Sequence, residues 1–281
     1  MPAATVDLVR HTTAHITGDG FTIGVVTCHD DHTGWSAPEP GEGRRIVLVR
    51  SGRFLLRSMG RQSSVDPTTG YLQAPGDEQQ FAHPAGGDIC TSIAVSAPLW
   101  HSLTGDRPHV TSPWLHIDAH LELAHRRLAR AVADGDADFA IPEQLIDFLA
   151  QAAALNSPAA PGPGEVPRSH ASRLLADAAR EALTADHPAS RRLTTLAAHL
   201  AVSPTHLSRT FQHETGNSLT RYRNRLRVSR ALDRIEAGED NLAVLAADLG
   251  FADQAHFIRT VREHTGRTPR QLRAVLHRPA D

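Results

Sequence analysis

The chain contains no lysine: all 29 of its basic side chains are arginine. Every basic contact to an anion must therefore come from a planar, permanently charged guanidinium, from histidine or from backbone amides. Cysteine is almost as scarce, with only Cys28 and Cys90 in 281 residues. Two cysteines do not make a disulfide framework in a chain this long. Long apolar runs are missing as well. The longest wholly aliphatic run in the front half is Ile46-Val-Leu-Val49, far below the roughly 18 residues that a membrane span requires. The opening MPAATVDLVRHTTAH has neither a basic n-region nor an apolar stretch of signal-peptide length. The expectation is a cytoplasmic protein with no membrane partner.

What is present is enough for a core. The hydrophobic set is 40% and charged residues are 21%, which excludes wholesale disorder. At roughly 150 residues per domain the length suggests about two domains. The net charge of −2 argues against a nucleic-acid partner only if it is spread evenly. It is not. Residues 1–168 carry 12 arginines against 19 carboxylates, a net −7, and residues 169–281 carry 17 against 12, a net +5. An acidic front and a basic back imply two jobs, the second with an anionic partner. Codon bias toward arginine, alanine and proline would give the same composition, so the charge needs a motif beside it.

Residues 20 to 97 read as strands. Phe21–Cys28, Arg45–Arg50, Gly52–Arg57 and Ile89–Val95 are short and rich in β-branched residues. Turn signals separate them at Ser51-Gly52, Asp66-Pro67, Pro75-Gly76-Asp77 and Gly86-Gly87-Asp88, the pattern of a sandwich or barrel. The period then changes. Leu121, Ala124, Leu128 and Val132 lie at helical spacing behind a possible N-cap at Asp118, and a second helix runs over 141–155 with Pro142 near its start. These two helices either cover the sheet or pair with a second copy. Ser157 to Pro167 holds four prolines and two glycines and reads as a semi-extended linker. The division expected is 1–156, a linker over 157–168, and a helical part over 169–281.

The back half contains a repeat. Leu196-Ala-Ala-His-Leu200 recurs as Leu245-Ala-Ala-Asp-Leu249, offset by 49. His206, Arg209, Thr210, Thr215 and Gly216 recur as His256, Arg259, Thr260, Thr265 and Gly266, offset by 50. Each copy reads as a short helix, a turn and a second helix ending in Thr-Gly. The turn of the first copy ends at Ser203-Pro204, an N-cap followed by proline. In the second, Gly250 supplies the turn, Phe251 packs inward and Asp253 is the N-cap. The second helix buries Leu207 and Phe211, or Phe257 and Val261. Its other face presents Thr205, His206, Ser208 and Arg209, or Gln254, His256 and Arg259. These hydrogen-bonding side chains lie at the end of a recognition helix that reaches base edges. Ser218–Ala237 reads as one continuous helix between the copies. It carries Arg221, Arg223, Arg225, Arg227, Arg230 and Arg234. They spread around the helix, so some hold phosphate and others are solvated or paired with Asp233 or Glu236; Arg223 and Arg227 are the expected phosphate contacts. Two copies joined by a long rod do not make an α-solenoid.

Residues 193–276 resemble the DNA-binding domain of AraC/XylS-type transcription regulators. The resemblance rests on Gly216–Ala231 for the linker helix, Leu249–Arg259 for the second unit and Thr265-Gly-Arg-Thr-Pro269 for the tail. Carried over by position, it implies base-reading slots at Thr205, Ser208 and Arg209, and at Gln254, Ala255, His256 and Arg259. Ser203 and His206 complete the expected DNA-binding set. Val261 and Leu272 stand where the family usually has aromatics, and Ala255 where it often has serine, which puts packing and contact detail of the second unit in question.

The front half resembles a cupin more loosely, in Gly70-Tyr-Leu-Gln-Ala-Pro75-Gly76 followed by His83. AraC-like regulators commonly carry such a domain for effector binding and dimerisation. The fold expected is therefore α+β and multidomain. It has an N-terminal cupin-like β-barrel with two closing helices, and a C-terminal all-α domain of two helix-turn-helix units joined by a long helix. The resemblance implies double-stranded DNA, a small-molecule effector, a homodimer and, for an activator, RNA polymerase as partners. Trp35, Tyr71, Phe81 and His83 are the candidates for lining an effector pocket. An enzymatic cupin would supply a His-x-His pair, which this sequence lacks, so no catalytic residue, metal or cofactor is expected. A Cys/His site built from Cys28, His29, His32, His83 and Cys90 is the competing reading of the front half. Buried strand cysteines and surface histidines are the simpler one. Two rivals stay open: a DNA-binding regulator whose barrel only dimerises, and a cupin-type enzyme with a DNA-binding appendage.

Overall fold

The computed structural model describes residues 10–29, 31–104, 113–156 and 169–277. The chain divides into two compact units, Met1–Pro158 and Ala159–Asp281. The first is sheet-rich and the second helical. The linker expected over 157–168 lies outside the described residues.

Among its described residues the first unit contains ten strands and three helices. The strands are β1 (Arg10–Gly18), β2 (Phe21–Cys28), β3 (Glu39–Pro40), β4 (Arg44–Ser51), β5 (Phe54–Ser58), β6 (Arg61–Val65), β7 (Thr69–Gln73), β8 (Glu78–Ala82), β9 (Asp88–Val95) and β10 (Trp114–His116). The helices are α1 (Ala97–Thr104), α2 (Ala119–Asp134) and α3 (Ala140–Leu155). A six-stranded sheet runs β1-β2-β9-β4-β7-β10 and a four-stranded sheet runs β3-β8-β5-β6.

The aliphatic run of β4 explains the layering. Ile46, Val47, Leu48 and Val49 are all buried, which a strand achieves only with cover on both faces. Ile46 and Leu48 belong to a core with Ile23, Ile93, Leu121 and Phe148. Val47 and Val49 point the other way, into a second core with Phe54, Leu56, Phe81 and Cys90. Helices α2 and α3 thus cover one face of the larger sheet, and the smaller sheet covers the other. Asp118 caps α2 as expected, its side chain accepting from the Leu121 amide at 2.8 Å. The strands β1, β3, β6, β7, β8 and β10 and the helix α1 lie outside the elements named from the sequence, because their apolar residues are few or interrupted by polar ones.

Beside its apolar stripe α2 buries polar side chains. Arg126 is 1% exposed and its guanidinium meets Glu122 at 2.6 Å. His125 Nε2 lies 2.7 Å from the Thr91 hydroxyl. Burial, then the positive charges of Arg50 and Arg126, push the His125 pKa down from 6.5 to about 3, against the pull of Glu122. The unfolded chain therefore takes up a proton at this residue before the folded unit does. The associated stability is complete above pH 6.5 and is lost as pH falls toward about 3. The slope reaches about 1.4 kcal/mol per pH unit inside that window. Denaturant titrations of His125→Gln from pH 7 to pH 4 should show a flatter decline than those of the wild-type chain; identical declines would contradict the assignment.

Among the described residues the second unit has seven helices: α4 (His170–Thr184), α5 (Leu193–His199), α6 (Pro204–Thr215), α7 (Leu219–Glu236), α8 (Leu242–Asp248), α9 (Gln254–Thr265) and α10 (Pro269–Leu276). A short 3₁₀ turn, Pro188–Arg191, precedes α5. Helix α7 has 18 residues, with Ser218 as N-cap and Ala237 as C-cap, so the expected rod is present, its end residues serving as caps. At 1.5 Å per residue it is about 27 Å long. Ala179, Leu196, Leu207, Phe211, Tyr222 and Leu226 form one core that ties α4, α5 and α6 to the first half of α7. Helices α9 and α10 pack on α7, and α8 packs on α9. Among the described residues no helix is long and apolar enough to cross a membrane.

Candidate nucleic-acid interface

The repeat read in the sequence is a repeat of backbone geometry. Helices α6 and α9 each have 12 residues. At their N-termini the side chains of Ser203 and Asp253 accept from the amides of His206 and His256, at 3.2 and 2.6 Å. These bonds satisfy donors that the first helical turn leaves open. At their C-termini Gly216 and Gly266 turn left-handed at φ 71° and 69°. The threonine before each glycine donates back into its helix, Thr215 to the Phe211 carbonyl at 2.7 Å and Thr265 to the Val261 carbonyl at 2.8 Å. The preceding turns differ. The first copy places Ala201 at φ 54° where the second has Gly250 at φ 72°. A Cβ on Gly250 would come within 3.0 Å of an Arg227 guanidinium nitrogen.

Each helix buries one stripe and exposes the opposite one. Leu207 and Phe211, like Phe257 and Val261, are 0% exposed. Val261 and Leu272, the two departures from the family pattern, are both fully buried, so aliphatic packing closes the second half without the aromatics. Thr205, His206, Arg209, Gln254, Ala255 and Arg259 are exposed, and Ser208 and His256 are half-buried. The His256 ring is edge-on to Phe251, with centroids 5.4 Å apart, and its Nδ1 lies 3.5 Å from the Ala252 amide. His206 has no such packing. The Ser203 oxygen is engaged as a cap, leaving its hydroxyl hydrogen able to donate.

The arginines of α7 fall into different classes. Arg225 is buried. Arg230 donates to the Thr184 carbonyl at 3.0 Å and faces Asp186 at 3.8 Å. Arg234 pairs with Asp248 at 2.8 Å and Glu239 at 3.3 Å. Its proton is held more tightly than usual, first through the Asp248 hydrogen bond, and the Glu239 carboxyl is held below its ordinary range by the Asn241 amide and Arg234. These two carboxylates lie outside α7, on neighbouring segments. Arg223 donates to the Arg191 carbonyl at 3.0 Å. Arg227 lies over the Phe251 ring at 5.5 Å. Burial, then Arg223, shift its pKa downward. Arg209 and Arg259 have no hydrogen-bond or ion-pair partner among the described residues.

Residues 196–274 match a family described as "Helix-turn-helix domain". The C-terminal unit carries a helix-turn-helix domain. This domain is 30% identical over 82 residues to the arabinose operon regulatory protein of Escherichia coli, covering 29% of this chain and 28% of that one. It is 35% identical over 78 residues to the HTH-type transcriptional activator RhaS of Escherichia fergusonii, covering 28% of each. The match therefore spans under a third of the length of either relative. Among solved structures ToxT from Vibrio cholerae covers 92% of this chain and 98% of its own, at 12% identity and a TM-score of 0.37.

In the front unit the structure gathers three of the four pocket candidates. Tyr71, Phe81 and His83 are all buried, and each ring lies 5.6 to 6.2 Å from the ring of Phe54. Trp35 stacks under the Arg57 guanidinium at 4.2 Å, next to Ser36, whose backbone amide donates to the Phe81 carbonyl at 2.8 Å. His83 is not a surface histidine, and it meets Asp88, a residue the sequence had marked only as part of a turn.

The caps of the helix-turn-helix domain give a local prediction. Asp253→Ala should destabilise the start of α9 by about 1 kcal/mol. Amide exchange in the first turn of α9 should accelerate by roughly five- to tenfold while α6 is unchanged.

Proposed function

We propose that the chain is a sequence-specific, DNA-binding transcription regulator of the cytoplasm and not an enzyme. In this reading α6 and α9 are the recognition helices. Arg209 and Arg259 read bases, supported by Thr205, His206 and Ser208 in the first and by Gln254, Ala255 and His256 in the second. The observation that carries the reading is the equivalence of Arg209 and Arg259. They occupy one position in two equally capped helices, they are exposed, and nothing within the described chain engages them. A guanidinium without an internal partner on a helix face is suited to grip guanine O6 and N7. Arg223 and Arg227, with Ser203, are assigned to phosphate. Burial first, and repulsion from Arg223 second, lower the Arg227 pKa; an anion placed beside the two arginines offsets that repulsion. The rod of about 27 Å against a DNA repeat of about 34–36 Å favours two successive major grooves on one face of the duplex.

For the front unit we propose effector binding coupled to dimerisation on a cupin-like scaffold, with the cluster of Tyr71, Phe81 and His83, and Trp35 beside Arg57, as effector candidates. RNA polymerase is a further partner if the protein activates. The rival in which this unit only dimerises predicts no ligand-dependent thermal shift of the full chain across a metabolite library. The enzyme rival has no His-x-His motif to support it.

Arg209→Ala and Arg259→Ala should each cost about 1–3 kcal/mol in binding to the selected operator and relax preference at one base pair. Arg223→Ala should weaken binding uniformly across sequences and reduce the salt slope by about 1. Unchanged footprint and affinity in both Arg209→Ala and Arg259→Ala would remove the assigned readers.

A further inference from the structure

Cys28, His83 and Asp88 are buried together in the front unit, and one potential ligand atom from each lies within 4.8 Å of the others. The fold makes this meeting. Cys28 ends β2 and Asp88 begins β9, and the two are direct partners in the antiparallel register. Direct partners project from the same face, here the one turned toward the smaller sheet, which Cys90 also faces. His83 follows β8 of that smaller sheet, and the turn from it to Asp88 is closed by the Gly86 amide donating to the His83 carbonyl at 3.1 Å. A Cβ on Gly87 would run into the Cys28 carbonyl oxygen, so only glycine lets the end of β2 approach so closely. The loop after β2 is tied in as well: the His83 amide donates to the His32 carbonyl at 2.8 Å, and the two imidazoles are 5.6 Å apart.

The polar atoms of His83 and Asp88 are under-used. His83 is 3% exposed and its Nδ1 has no hydrogen-bond partner among the described residues. Asp88 Oδ1 lies 3.1 Å from His83 Nε2 but has no aligned hydrogen bond. Asp88 Oδ2 accepts from the Cys90 thiol at 2.7 Å. A buried carboxylate and imidazole left in this state cost free energy that a third group would recover.

We propose that Cys28, His83 and Asp88 are the protein ligands of a divalent zinc-type ion that joins the two sheets. Sulfur, nitrogen and oxygen donors in one small cluster suit Zn²⁺. Bond lengths of about 2.0–2.3 Å put tetrahedral ligand atoms about 3.3–3.8 Å apart, so atoms already within 4.8 Å need to close by only about an ångström. Charge balances too. The Cys28 thiol releases its proton to solvent on binding, and thiolate plus carboxylate neutralise the dication beside a neutral imidazole. Cys90 is not a ligand; its thiol orients Asp88 from behind. Water or His32 takes the fourth place. The assignment is independent of DNA binding.

The test is to strip the full-length chain with chelator under reducing conditions and titrate it with Co²⁺, then displace with Zn²⁺. A thiolate-to-cobalt charge-transfer band should saturate at one equivalent and vanish as zinc is added. Cys28→Ser should abolish the band, and Asp88→Asn should weaken binding at least ~100-fold. Cys90→Val should keep the band and the stoichiometry with affinity lowered about 10–100-fold. Absence of the band in the wild-type chain overturns the proposal whatever the variants do. So does a band that survives in Cys28→Ser, or one that is abolished by Cys90→Val. Circular dichroism of each variant without metal separates loss of binding from loss of fold.

Discussion

Helix α7 is the wall that both halves of the C-terminal unit share, and its burial sets what the rest of that unit can do. Tyr222 and Leu226 belong to the core of the first half, while α9 and α10 pack on the same helix. A helix covered along most of its length must take small or aliphatic residues on several sides, and Val228, Ala231, Leu232 and Ile235 are 0% exposed. Apart from the buried Arg225, the arginines that make contacts, Arg223, Arg230 and Arg234, meet carbonyls and carboxylates of neighbouring segments. The two outer helices α6 and α9 are freed from structural duty on one face, because their caps and their Thr-Gly ends satisfy their own backbone.

That partition gives meaning to the absence of lysine. A guanidinium can hydrogen-bond in several directions from a flat surface and can lie against a ring. Arg223 serves a carbonyl, Arg227 lies over Phe251 and Arg234 bridges two carboxylates. An ammonium would satisfy fewer of these geometries. Net charge alone could not separate arginines that hold the domain together from those that face outward.

Much of this architecture is legible in the chain itself. The β-branched run Ile46–Val49, the cap residues Asp118, Ser203 and Asp253 and the 49–50 repeat each obey a local rule. Local rules govern helix ends and strand faces, so those elements appear where the residues put them. The cluster of Cys28, His83 and Asp88 obeys a rule of topology. Cys28 and Asp88 meet through strand register across some 60 positions, and His83 arrives from the other sheet. Nothing in the composition of the turn Gly86-Gly87-Asp88 distinguishes a carboxylate that points into the core from one that points to water. The ion pairs of Arg234 were hidden for the same reason, since Asp248 belongs to a different helix.

The two halves of the repeat are alike in ladder and caps but not in the turn that enters the second helix. Ala201 adopts a left-handed φ of 54°, a conformation that costs an L-residue about 1–2 kcal/mol. The corresponding Gly250 adopts it without that cost and lets the Arg227 guanidinium come close. Exchange between the halves is thus one-directional. A glycine would be welcome in the first turn, whereas an alanine in the second would meet both strain and a neighbouring cation. Two sequences that read as copies have become non-interchangeable parts, and the asymmetry is stored in one methyl group.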